Sequence, residues 1–104
     1  MGNPKELVRA TEVYTAKKSI EILSVWECDK KLMISLKIGA YDDIRTWGIV
    51  IADIVRHLSD ATHEINDNDI NDTAQAILDI CVTELENPTD RLYGYFDSEG
   101  KKEA

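Results

Sequence analysis

Apolar residues follow two different periods along this chain. From Ser19 to Gly39 they alternate with polar ones: Ile20, Ile22, Ser24, Trp26 and Cys28 share one face of a first run, and Leu32, Ile34, Leu36 and Ile38 one face of a second. Period two with many β-branched residues predicts two strands, and the charged Asp29-Lys30-Lys31 between them predicts a turn. Directly opposed residues of an antiparallel pair lie on one face, so the even-numbered sets meet only across an odd-length loop. A three-residue loop pairing Cys28 with Leu32 opposes Trp26 to Ile34 and Ser24 to Leu36, whereas a two-residue loop puts Trp26 opposite Met33 and splits that face. The expected hairpin therefore has an odd loop or a bulge. Its second face, with Leu23, Val25 and Met33 among Glu21, Glu27, Ser35 and Lys37, is not fully polar. A lone two-stranded hairpin is marginal in water. The N-terminal segment, the aromatic run near the C-terminus or a second subunit's hairpin is expected to cover or extend it.

Beyond Gly39 the period lengthens. Trp47, Val50, Ile51, Ile54, Val55, Leu58, Ala61 and Ile65 fall on one stripe at 3.6 residues per turn, which predicts an amphipathic helix. Asp42 or Asp43 is placed to cap its start, because a short carboxylate accepts from the unpaired amides of a first turn. Gly48 stands inside this helix at a cost of about 1 kcal/mol relative to alanine. With Ala52 and Ser59 it lines one flank of the stripe, so close approach of a neighbouring helix or strand is the expected compensation. A backbone opening for a ligand near Trp47 and Asp53 is the sharper alternative.

Asn66-Asp67-Asn68-Asp69 reads as a turn and cap. A second helix follows to about Glu86, with Ile70, Ala74, Ile77, Leu78, Cys81 and Leu85 as its stripe and Pro88 just beyond its end. The short linker predicts antiparallel neighbours. Arg91-Leu92-Tyr93-Gly94-Tyr95-Phe96 is a candidate short strand or anchoring segment. Residues 1–18 read as a lead-in, 19–96 as one α+β domain and 97–104 as a disordered tail.

Composition narrows the function. At 104 residues the chain holds one modest core. A net charge of −8 argues against nucleic-acid and anionic-membrane partners, which call for basic patches. No apolar run approaches the roughly 20 residues of a membrane span, and Met1-Gly2-Asn3-Pro4-Lys5-Glu6 has no signal-peptide core, so the cytoplasm is the expected compartment. Cys28 and Cys81 sit in apolar-periodic segments and are expected as buried thiols rather than a disulfide.

Little catalytic chemistry is written in the chain. Asp67, Asp69 and Asn71 have the one-three-five spacing of a calcium loop, but Asp72 stands where the loop turns on Gly and Leu78 where a bidentate Glu belongs. His57 and His63, six apart, do not share a helix face as paired zinc ligands would. There is no phosphate-cradling glycine loop, nucleophile elbow or CxxC motif, so no cofactor or metal is expected. Asp53 and His57, four apart, could touch as a base and its orienting carboxylate or as an ordinary surface pair. Asp42, Asp43, Trp47, Asp53 and His57 are therefore the candidate ligand-binding cluster.

Ile22-Leu23-Ser24-Val25-Trp26, Leu36-Lys37-Ile38-Gly39, and Asp42-Asp43 followed by Trp47-Gly48-Ile49 and Ala52-Asp53 together resemble a family of small bacterial proteins of unknown function. The likeness runs from about Ser19 to about Pro88. It implies a bacterial, cytoplasmic domain and no activity.

The expected architecture is α+β in the order β-β-α-α: an antiparallel hairpin, extended by a third strand or by dimerisation, laid across two antiparallel helices. Trp26, Ile34, Leu36, Trp47, Ile51, Ile54, Leu58, Ile77 and Cys81 are the expected core. The leading functional expectation is a non-catalytic, self-associating interaction module, a homodimer with scope for a protein partner. A small-molecule site or modest enzyme built on the candidate cluster is the alternative. A third reading is an acidic inhibitor of a basic protein, whose binding would weaken with salt.

Overall fold

The computed structural model describes residues 2–89 and 91–97. The fold is α+β. After a single helical turn, α1 (Glu12–Thr15), come strands β1 (Leu23–Cys28) and β2 (Lys31–Lys37), helices α2 (Thr46–Asn66) and α3 (Ile70–Glu86), and a short strand β3 (Gly94–Asp97). The aromatic run thus supplies a third strand. It pairs parallel to β2, with Ile34 beside Gly94 and Leu36 beside Phe96, so β2 is central in a mixed sheet of order β1-β2-β3. Gly94 is required there: its φ is +132°, and a Cβ would run into the Ile34 carbonyl.

The hairpin register differs from the expected one. Cys28 pairs with Lys31 across a two-residue loop, and Trp26 lies opposite Met33. Asp29 and Lys30 both have positive φ, 51° and 69°, which is the type I′ conformation whose twist matches that of the flanking strands. This register sorts the side chains better than the odd loop would. Leu23 and Val25 of β1 share a face with Leu32, Ile34 and Leu36 of β2 and with Phe96 of β3, and only Glu27 among the paired β1 and β2 positions of that face is polar. The opposite face carries Ser24, Trp26, Cys28, Lys31, Met33, Ser35 and Lys37. There the Trp26 indole donates to Ser24 Oγ at 2.8 Å, and the Lys31 ammonium stands 5.2 Å from the centre of the Tyr93 ring.

Both long helices form where the 3.6-residue pattern places them. Asp67 ends α2 with φ 58°, its N–H donating to the His63 carbonyl, and Asp69 caps α3 by accepting the Asp72 N–H at 2.9 Å. The start of α2 departs from expectation. Arg45, not Asp42 or Asp43, holds the cap position, and it does so without a side-chain bond. The carboxylate of Asp43 is engaged one step earlier, on the Arg45 backbone N–H and guanidinium.

The packing is where the chain departs furthest from expectation. Helices α2 and α3 pack on each other, yet among the described residues no helix comes within 8 Å, Cα to Cα, of any strand. The hairpin is therefore not laid across the helices of its own chain. Among the described residues only Val55, 7% exposed, and Ser59, 1% exposed, are buried. Ile51, Ile54, Leu58 and Cys81, all expected in the core, are exposed, and Trp26, Ile34, Leu36, Trp47 and Ile77 are half-buried. Both thiols are exposed as well. The reason is geometric: the seam with α3 forms on the Val55–Ser59 side of α2, whereas the largest apolar side chains lie a quarter-turn around the helix.

Candidate functional site

Two apolar surfaces stand open, and they are complementary in kind. The first is the sheet face of Leu23, Val25, Leu32, Ile34, Leu36 and Phe96, on which Val25, Leu32 and Phe96 are 51–57% exposed. The second is the free side of α2 in the helix pair, carrying Ile51, Ile54 and Leu58, which are 42–52% exposed. An aliphatic sheet face and an amphipathic helix pair are the two layers from which an α+β core is normally assembled. The sequence marks Leu23 and Val25 as a partly apolar face in need of cover; the odd-loop register hides that they share it with Leu32, Ile34 and Leu36. The signal that finds them is a two-residue turn of left-handed residues.

The elbow between sheet and helices is tightly built. The Ala40 N–H donates to the Lys37 carbonyl at 3.1 Å and the Thr46 N–H to the Asp43 carbonyl at 3.0 Å. Arg45 grips Asp43 through its backbone N–H at 2.9 Å and through Nε and Nη2, the latter at 2.7 Å. This guanidinium, together with the backbone donor, holds the Asp43 carboxyl below its ordinary range and raises the Arg45 pKa in return. Tyr41 sets its ring edge-on to Trp47, with centroids 5.7 Å apart.

The five candidate ligand-binding residues do not converge. Asp43 and Trp47 are taken up in the elbow, beside the exposed Asp42. Asp53 and His57 lie about a third of a turn around α2 from Trp47, on the solvated face. Their side chains do not meet. His57 Nδ1 contacts the Asp53 backbone carbonyl at 2.7 Å, and the Asp53 carboxylate faces Arg56 at 3.5 Å. Gly48 approaches no neighbour, since a Cβ there would enter open space. Ser59, on the same flank, is the residue that sits in the α2–α3 seam, its hydroxyl donating to the Val55 carbonyl at 2.8 Å.

A cleft of about 430 Å³ lies along β1 at the border of that sheet face, between the strand and residues 5–9, lined in part by Leu7, Arg9, Glu21, Leu23, Val25 and Trp26. On its charged wall Arg9 Nη2 lies 2.8 Å from the Glu6 carboxylate. Hydrogen bonding to Tyr14, helped by the Glu6 charge, raises the Arg9 pKa. Among the described residues no three His, Cys, Asp or Glu side chains gather as a metal-holding group, and no helix is long and apolar enough to cross a membrane.

The model of a domain of unknown function, DUF5076, matches residues 6–89. The chain belongs to that family. The match takes in both long helices, β1, β2 and the elbow, and begins well before Ser19, where the likeness read from the residues starts. No curated protein matches the chain. Among solved structures, the DUF5076 chain is similar to a protein of the photosynthetic bacterium Rhodopseudomonas palustrus CGA009 that carries the provisional name pyruvate dehydrogenase. The two are 26% identical, with a TM-score of 0.68 over 88% of this chain and 93% of that one. The likeness of fold extends over nearly the whole of both chains.

Proposed function

We propose that this DUF5076 domain is a non-catalytic, self-associating protein-interaction module of the bacterial cytoplasm. One observation carries the reading: the aliphatic sheet face and the free side of the helix pair are both open, with no helix within 8 Å, Cα to Cα, of a strand among the described residues. Contiguous exposed apolar surface of this kind marks association sites. Two bulk properties support it. The radius of gyration is 16.0 Å, against about 13 Å for a compact domain of this length. The chain exposes 9722 Å², against about 5,900 Å² for a compact monomer of its mass. A quarter of that excess would exceed the roughly 800 Å² per partner of a standard interface. The dispersal of Asp42, Asp43, Trp47, Asp53 and His57 supports a surface role for these residues rather than a shared pocket.

The test is thermal unfolding over a hundredfold range of protein concentration. A self-associating domain melts at higher temperature as concentration rises, because mass action stabilises the associated state. A midpoint independent of concentration would overturn the reading. Asp53→Ala with His57→Ala should leave the concentration dependence intact, since neither residue lies on the open faces.

A further inference from the structure

We infer that the occupant of these faces is a second copy of the chain in reciprocal exchange: the α2–α3 pair of each protomer seats on the β1-β2-β3 face of the other. The inference rests on the self-association reading and names its geometry. Each chain carries one aliphatic sheet face and one open helix pair, so two copies satisfy both of these surfaces twice. This is a closed, isologous arrangement. The elbow distinguishes exchange from folding back. The backbone bonds of Ala40 and Thr46, the three-donor grip of Arg45 on Asp43 and the edge-to-face contact of Tyr41 with Trp47 shape the chain where it leaves the sheet. Beyond this elbow the helix pair does not come within 8 Å, Cα to Cα, of its own strands among the described residues, the arrangement met when a hinge exchanges an element between protomers. The exposed area also fits, because the surface in excess of a compact monomer's is larger than a standard interface requires.

Complementation between two single variants tests this. Leu36→Asp damages the sheet face and Ile54→Asp the helix face. In an exchanged homodimer either change is present at both helix-on-sheet junctions, so each variant alone should lose at least about 100-fold in dimer affinity. Co-expressed, they form a heterodimer in which one junction pairs a native sheet with a native helix pair. That heterodimer should be recovered in preference to both homodimers. If only one variant loses the dimer, association is face to face through like surfaces; exchange is then wrong while self-association stands. If both lose it and co-expression restores nothing, exchange is also wrong. A monomeric native chain would overturn both readings.

A second measurement needs no substitution. Native and heavy-isotope-labelled chains are allowed to exchange subunits, then cross-linked amine to carboxylate. Exchange requires peptides that join α2 or α3 to β1 or β2 to carry mixed isotopes in about half of cases, as random pairing of two labels dictates. Helix-to-strand links confined to one label would show the helices folding back on their own sheet.

Discussion

Two residues show how locally this chain is held together. Ser59 is the most buried side chain among those described, and its hydroxyl returns to the Val55 carbonyl of its own helix. A small residue lets α2 and α3 approach here. Ser59→Leu should overfill the seam and cost about 1–3 kcal/mol, whereas Ser59→Ala should stay within about 1 kcal/mol. Urea unfolding at fixed protein concentration measures both. Asp43 acts through charge. Arg45 holds its folded pKa below the unfolded value, so its contribution is complete above the ordinary carboxylate range and is lost as pH falls through the folded value. The melting difference between native protein and Asp43→Asn should therefore be present near neutral pH and shrink in acid. A difference that grows on acidification would contradict the assigned grip.

At the scale of elements, β3 depends on one glycine. Gly94→Ala should detach β3 from β2, because the new methyl would collide with the Ile34 carbonyl at a φ that L-residues seldom adopt. Hydrogen exchange should then show the Ile34 amide, which donates to the Tyr93 carbonyl at 3.1 Å, losing protection while α2 and α3 keep theirs. Unchanged protection at Ile34 would refute this dependence. The strands and helices themselves were legible in the sequence, because periods of two and 3.6 are local properties that burial of either face enforces. The hairpin register was not. It turns on Asp29 and Lys30 both taking left-handed backbone, which neither residue announces as Asn-Gly would. The candidate cluster is legible only as a spacing: that of Asp53 and His57 fits a surface pair as well as a catalytic one, and the structure sets His57 Nδ1 on the Asp53 backbone carbonyl.

For the whole molecule, periodicity says which side of an element is apolar but not whether its partner belongs to the same chain. Ile51, Ile54 and Leu58 form the stripe that the sequence requires, yet they stand open, as do Val25 and Leu32 across the sheet. The proposed self-association would complete the core that these open faces leave unfinished. Native mass spectrometry of protein purified without unfolding tests it most directly. A self-associating chain should give a dominant species at twice the 11.8 kDa chain mass, persisting on dilution to micromolar concentration. A spectrum showing only the 11.8 kDa chain at every concentration would contradict it.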